Sequence, residues 1–390
     1  MRKPKQKVIR KKIHEQKLLA SIAPEYIRIG AFADYSEDGV LPSYSLKRIF
    51  AIQEDELNAF GLLFSKKTKN NDKYGEKIDG LALAAFAYQQ FQDLMDLTFS
   101  SIDDVEKTKE HFFHRNYLYY ESLVYLRTIS LDILNANALG ALALLRPYSE
   151  LSVFFLYFRY LSEKKGIEKL YGWMKGQNGK PPFMDALQYV INEQKENNPE
   201  IVDIIDAQFA KLAKCYKELS SYNHTPRVNE SIGQMSGGYG PAHLKDIFYA
   251  ILCATEITKS LNILFSLARP MILFPCNEIA RFGFNGPVGI FADSTNNVIF
   301  EKCFDKELVL RIRNSLAKSD EVISIIKYYE SQREYSDEEI RASYKPNESE
   351  DSNVSQERTI NELIARKKAQ IRVLGWFMNY VSQKDINAAI

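Results

Sequence analysis

The sequence predicts an all-α protein, a multi-helix bundle with one small β-hairpin near residues 287–304. Apolar residues recur at steps of three and four along most of the 390 residues, which is the spacing of a helix face. The most apolar stretch, Ala138–Glu150, lies within such a pattern and is long enough to form the centre of a core. Strand-like runs of Val, Ile and Phe separated by a turn occur near the hairpin.

Composition limits the class of protein. Apolar residues make up 45% of the chain and charged residues 26%, which is typical of a soluble globular protein. The net charge of +1 excludes a global field for nucleic acid, so a polyanion would need a local basic patch. We find no signal peptide and no uncharged apolar run of spanning length, and we predict a cytoplasmic protein without membrane contact. Four separated cysteines indicate reduced thiols: Cys215, Cys253, Cys276 and Cys303.

The chain begins with a basic extension, predicted over residues 1–24. Residues 1–17 hold eight Lys or Arg and one Glu, a local charge of +7. This segment is either a solvated, partly helical extension or a tail that contacts RNA, DNA or an acidic protein surface. An N-terminal helical region is predicted next, over residues 25–100, with a helix at Asp79–Ser100.

The core is predicted over residues 101–330. Its longest pattern places Ser122, Leu126, Ile129, Ile133, Ala136 and Gly140 on one continuous helix face. The small residues near Gly140 would allow another helix to approach closely. Pro147 removes a backbone N–H, so the helix must kink or restart near Leu145. The aromatic-rich segment Ser149–Leu161 is apolar nearly all round and is therefore predicted to be central.

The rest of the core is predicted from the same periodicity. A break falls at Gly172–Pro182, and the strands of the hairpin fall at Pro287–Ala292 and Asn297–Phe304. Residues 331–358 are acidic and poor in large apolar residues, which favours a flexible linker, and residues 359–390 are predicted as a C-terminal helix. The other predicted helices are Met184–Glu196, Ile201–Ser221, Pro241 to about Leu267, and Lys306–Glu330.

Two polar positions stand out against this apolar background. Arg146 and Glu150 are four residues apart, so they share a helix face. They form either a buried ion pair that locks two helices or a site in which Arg146 faces an anion and Glu150 orients it. His224, near a predicted helix end, is either a proton-transfer group or a polar residue at the helix terminus. His111 and His114 lack an evident third ligand, so no metal site is predicted.

Two short motifs carry a resemblance. They are Leu145-Arg146-Pro-Tyr-Ser-Glu150-Leu151 and Tyr216-x-x-Leu219-Ser220-x-Tyr222-x-His224. Over roughly residues 115–270 the chain resembles an uncharacterised group of bacterial all-helical domains that look related to the HEPN superfamily (higher eukaryotes and prokaryotes nucleotide-binding). The resemblance implies a helical bundle that can dimerise and a place in toxin–antitoxin or antiviral defence systems, where many such proteins are ribonucleases.

The catalytic signature of that superfamily is an Arg separated from a His by four to six residues. The matching positions before His224 are Leu219, Glu218 and Lys217, and none is Arg. Lysine lacks the planar fork of arginine. The departure counts against ribonuclease activity unless an Arg from elsewhere in the fold supplies the cation.

Two functions therefore remain open. The first is a non-catalytic or weakly catalytic HEPN-like interaction protein of a bacterial defence or toxin–antitoxin system, with RNA or protein as partner and residues 1–17 as the contact tail. The second is a metal-independent endoribonuclease in which His224 is the acid and base, Arg146 stabilises phosphate and Glu150 orients Arg146. Tyr216, Lys217 and Tyr222 would then contribute to binding, and neither function requires a cofactor.

Overall fold

The computed structural model describes most of the helical core. The described residues are 80–94 except 82 and 86, 105–134, 137–161, 163–223, 241–283 except 275, 300, 303–343, 357, 360, 361, 363, 364, 367 and 368. They are mainly helical and contain no paired strands, which confirms the all-α class. The described residues between 80 and 90 are helical and lead into a 3-10 helix at Phe91–Leu94. The α-helices that follow are α1 Val105–Leu134, α2 Ala138–Tyr160, α3 Glu163–Met174, α4 Phe183–Asn197, α5 Val202–Asn223, α6 Pro241–Ala268, α7 Glu278–Phe282, α8 Lys306–Leu316, α9 Asp320–Ser331 and α10 Asp337–Ser343.

α2 is the central helix, as its apolar sequence predicts. It packs against α1, α3, α4, α5 and α6. Pro147 lies inside α2, which runs as one helix from Ala138 to Tyr160. Proline therefore does not divide the segment into two helices.

The predicted continuous face from Ser122 to Gly140 is wrong, because the chain turns between α1 and α2. Asn137 begins α2 as its N-cap: its side-chain oxygen accepts from Gly140 N at 3.1 Å, and its Nδ2 donates to Asp132 Oδ1 at 3.0 Å. A Cβ at Gly140 would collide with the side chains of Asn137 and Asp132. Gly140 thus leaves room for the cap of its own helix rather than for a neighbouring helix.

The core is built around buried aromatic side chains. Phe265 of α6 stacks on Phe155 of α2, with ring centroids 5.4 Å apart, and it also contacts Tyr88 and Tyr119. The buried hydroxyl of Tyr88 lies 2.8 Å from Ser122 Oγ and donates to Ser152 Oγ at 2.9 Å. Burying these rings stabilises the bundle, and pairing the hydroxyl removes the cost of an unsatisfied polar group.

The β-hairpin prediction is wrong where the structure describes it. Phe300 and Cys303, both in the second predicted strand, are helical. Phe300 is fully buried, and its ring lies 6.1 Å from that of Phe91 in an edge-on contact. Aromatic residues that look like strand formers therefore serve here as core contacts. The first predicted strand, Pro287–Ala292, lies outside the described residues.

The acidic segment predicted as a flexible linker is partly structured. α10 occupies Asp337–Ser343, and Ile340 is completely buried against Ile279 and Ile364. Tyr335 N also donates to Ala280 O at 2.7 Å. Burial of Ile340, this backbone hydrogen bond and the ion pair of Asp337 with Lys367 all contribute to holding this segment. The helix predicted at residues 306–330 is divided into α8 and α9, with Ser319 capping α9.

Two helical segments have the length and apolar composition of a membrane span. They are Ala138–Tyr160 and Asp246–Ala268, and 61% and 67% of the respective apolar windows are buried inside the protein. Core helices of bundles have the same composition, so these features do not assign a location. None of the four cysteines forms a disulfide.

Candidate functional site

The first polar site is formed on α2 by Arg146 and Glu150. The helix places them on one face, and Arg146 Nε donates to Glu150 Oε1 at 3.2 Å. The Glu150 side chain is only 9% exposed, whereas that of Arg146 is 26% exposed. The ion pair expected from their spacing is therefore present, with the carboxylate inside and the guanidinium at the surface.

Tyr216 of α5 joins this pair to a second helix. Its hydroxyl accepts from Arg146 Nη2 at 3.0 Å and donates to Glu150 Oε1 at 2.7 Å. The Tyr216 ring stacks on Phe183 at the start of α4, with centroids 3.9 Å apart and planes 14° apart. The guanidinium carbon of Arg146 lies 5.0 Å from the Tyr216 ring centroid. Hydrogen bonds and stacking thus hold the ring between α2 and α4.

Lys180 supplies a second cation from the loop between α3 and α4. Its Nζ donates to Glu150 Oε2 and lies 5.7 Å from the Phe154 ring centroid. The loop is held by its backbone, because Gln177 N and Asn178 N donate to Gly172 O at 2.8 and 3.0 Å. Gly176 sits at φ 69°, a conformation that suits glycine. We call Arg146, Glu150, Lys180 and Tyr216 the Arg146 cluster.

The electrostatics of this cluster keep Glu150 ionised. Burial raises the pKa of Glu150, but hydrogen bonds from Lys180, Tyr216 and Arg146 outweigh it, so the pKa lies below its ordinary value of 4.5. Burial and the neighbouring Glu150 carboxylate raise the pKa of Tyr216. At neutral pH the cluster therefore contains a carboxylate, a phenol and two cations.

The residues predicted for a site divide into two groups. Arg146, Glu150 and Tyr216 come together as described above. Lys217 is exposed and lies one position further along α5, outside the hydrogen bonds of the cluster. Tyr222 lies in the last turn of α5, but its side chain is outside the described residues, and so is His224.

Sequence reasoning missed Lys180 and Phe183. Both come from the predicted break and the start of α4, about 30 residues after Glu150. No local pattern marks them, because their roles depend on how α3 and α4 fold back along α2. The Gly-Lys-Pro-Pro-Phe sequence at positions 179–183 indicates only a rigid turn before a helix.

A second region, which we call the aromatic cleft, lies on the other side of the same loop. It is an open cleft of about 550 Å³ between the end of α2, α3, the loop and the start of α4. Trp173 packs edge-on against Phe154 and stacks on Phe158, and Tyr157 meets Tyr189 edge-on at 5.3 Å. The lining residues are Tyr157, Phe158, Lys169, Trp173, Asn178, Gly179, Pro181, Pro182, Asp185, Ala186 and Tyr189.

Neither region contains the ligand set of a metal site. Among the described residues, no three His, Cys, Asp or Glu side chains are grouped closely enough to hold an ion. His111 and His114 lie in α1, but their side chains are outside the described residues.

Comparison with known proteins identifies no relative of this chain. No protein-family model matches the chain, and neither a curated protein nor a solved structure shows significant similarity.

Proposed function

We propose that this chain is a non-catalytic helical protein of HEPN-like type that binds RNA through its basic N-terminal segment. In line with the resemblance of its two motifs, it would act in a bacterial defence or toxin–antitoxin system. The observation that carries the non-catalytic part is the internal pairing of the Arg146 cluster.

The pairing leaves the carboxylate without a role in proton transfer. Glu150 accepts hydrogen bonds from Arg146, Tyr216 and Lys180, which occupy both of its oxygens. A general base works best when its pKa lies near the working pH, whereas the pKa of Glu150 is lowered away from neutrality. The raised pKa of Tyr216 likewise keeps its proton on the hydroxyl. These properties support a structural role that joins α2, α4 and α5.

The choice of RNA rests on charge. Residues 1–17 carry a local charge of +7, although the whole chain carries only +1. A concentrated basic segment gains affinity for a phosphate backbone by releasing counterions, without reading the base sequence. RNA carries such phosphates along its whole length, whereas a protein partner would need an acidic surface of its own.

Fluorescence anisotropy with a labelled single-stranded RNA tests the proposal. The full chain should bind, and affinity should fall steeply as salt rises because each phosphate contact releases a counterion. A variant with Lys3, Lys5, Lys7, Arg10 and Lys11 changed to Gln should bind at least tenfold more weakly. A variant with the same number of exposed Lys changed outside this segment is the control.

The same RNA, followed on a denaturing gel, separates the parts of the proposal. RNA that is bound and remains intact supports both parts. Equal binding by the two charge variants would overturn the role of residues 1–17. Cleavage that His224→Ala abolishes would overturn the non-catalytic part.

The second candidate is the endoribonuclease with His224 and Arg146. One observation favours it: the Arg146 side chain is 26% exposed, so its guanidinium can be approached from solvent. Arg146→Lys would then retain the charge and lose the fork, and cleavage should fall strongly while RNA affinity remains. Unchanged cleavage in Arg146→Lys would remove Arg146 from the reaction.

A further inference from the structure

The aromatic cleft combines apolar walls with charges of both signs. Its aromatic rings come from three helices, with Tyr157 on α2, Trp173 on α3 and Tyr189 on α4. Pro181 and Pro182 close one side through the rigid loop. A volume of about 550 Å³ is within the range of small-molecule sites. Such walls favour a flat, apolar group that can pack against several rings.

Lys169 gives the cleft a cation that no carboxylate among the described residues neutralises. Its Nζ makes a long hydrogen bond of 3.4 Å to Tyr157 Oη and lies 5.9 Å from the Tyr157 ring centroid. Among the described residues it has no ion pair. A long bond to a phenol is weak, so an anionic group that entered the cleft could replace it.

Asp185 gives the cleft an anion that also has no ion-pair partner among the described residues. It lies in the first turn of α4, is exposed, and has no ion pair within the described part of the chain. Lys169 and Asp185 are not within ion-pair distance of each other, although both line one cleft. This contrasts with Glu150, whose two oxygens both accept hydrogen bonds within the protein.

We propose that the aromatic cleft binds a small zwitterion with an aromatic ring, of the class of the free aromatic amino acids. The ring packs against Tyr157, Trp173 and Tyr189, the carboxylate pairs with Lys169, and the ammonium pairs with Asp185. A ligand with only one charge leaves the other protein charge unpaired, and a ligand without a ring leaves the walls uncovered. This site is independent of RNA binding and makes the chain a candidate sensor of such a metabolite.

Calorimetric titration of the full chain with three probes tests the proposal. The probes are L-phenylalanine, 3-phenylpropionate, which lacks the ammonium, and 2-phenylethylamine, which lacks the carboxylate. L-Phenylalanine should bind with one-to-one stoichiometry, and each single-charge analogue should bind about two- to fivefold more weakly, which is the scale of one exposed ion pair.

Two variants test which side chain pairs with the ammonium and which with the carboxylate, the two groups carried by the Cα of the ligand. Asp185→Asn should lose the preference for L-phenylalanine over 3-phenylpropionate and keep the preference over 2-phenylethylamine. Lys169→Gln should show the reverse pattern. Lys165→Gln is the matched control, because Lys165 is exposed on the same helix and does not line the cleft. It should bind all three probes as the unchanged chain does.

The affinities of the three probes for the unchanged chain and the variants test the proposal. Absence of saturable L-phenylalanine binding would overturn the proposal, as would equal affinity for the three probes. Equal losses of all probes in both variants would show that the two side chains do not pair separately with the carboxylate and the ammonium, which also overturns it. All three exchanged residues are exposed, so circular dichroism should show unchanged helix content.

Discussion

The Arg146 cluster and the aromatic cleft use the same helix and the same loop, yet they treat charge in opposite ways. In the cluster, Glu150 is nearly inaccessible and both of its oxygens are paired within the protein. In the cleft, Lys169 and Asp185 are exposed and have no ion pair among the described residues. An unpaired charge is costly when it is buried, whereas an exposed charge stays hydrated and can still bind a ligand. The comparison is consistent with a structural role for the cluster and with the ligand-binding role that we propose for the cleft.

Removing the buried carboxylate should have the largest effect, and it tests whether the Arg146 cluster stabilises the bundle. Glu150→Ala leaves the Arg146 and Lys180 cations without their partner and Tyr216 without its acceptor. We expect the free energy of unfolding to fall by about 2–3 kcal/mol, since Arg146 keeps contact with water. Urea unfolding measures this loss. Glu196→Ala, an exposed glutamate on α4, is the control and should stay within about 0.5 kcal/mol. An equal effect of both changes would contradict a holding role.

Acid should remove the same contribution without a mutation. The pKa of Glu150 is lower in the folded than in the unfolded protein, so its contribution is complete above the ordinary value of 4.5 and disappears as pH falls through the folded value. The stability difference between the unchanged chain and Glu150→Gln should therefore be constant at neutral pH and shrink below about pH 4.5. Thermal unfolding at a series of pH values measures it. A constant difference down to pH 3 would show that the carboxylate charge is not involved.

Removing one hydroxyl separates hydrogen bonding from stacking within the cluster. Tyr216→Phe loses the bonds to Arg146 and Glu150 and keeps the ring on Phe183. We expect a loss of about 1–1.5 kcal/mol in unfolding free energy, the usual range for a hydrogen bond of this kind. Tyr328→Phe is a matched control, because Tyr328 is 45% exposed. A neutral effect of Tyr216→Phe would assign the role of this residue to its ring alone.

The smallest expected effect tests whether the two regions are coupled. Lys180→Gln removes an exposed partner of Glu150, so stability should fall by only about 0.5 kcal/mol. The loop that carries Lys180 also lines the aromatic cleft through Asn178, Gly179 and Pro181. L-Phenylalanine affinity should therefore fall about twofold, although Lys180 itself does not line the cleft. Lys175→Gln, a neighbouring exposed lysine, should leave affinity unchanged in the same titration.

Local periodicity could predict the central helix and the Arg146–Glu150 pair, because both depend on residues a few positions apart. The same periodicity continues in phase across the turn at Asn137, which is why one helix was expected where the chain folds back. Lys180 and Phe183 could not be predicted, since their contacts with Glu150 and Tyr216 arise only from the packing of α4 and α5 on α2. Ile340 shows the same limit, because its burial and the long-range ion pair of Asp337 with Lys367 are absent from the local charge pattern, which suggests a flexible segment.

The long-range contacts of α6 affect the order in which the core can form while the chain is being synthesised. Asn262 Nδ2 donates to Ala84 O at 2.9 Å, Tyr148 Oη donates to Thr258 Oγ1 at 3.3 Å, and Phe265 completes the central ring cluster. Residues near Tyr88 therefore emerge from the ribosome well before the helix that covers them. We therefore expect these rings, which α1 and α2 cover only in part, to become fully buried only after α6 has been synthesised.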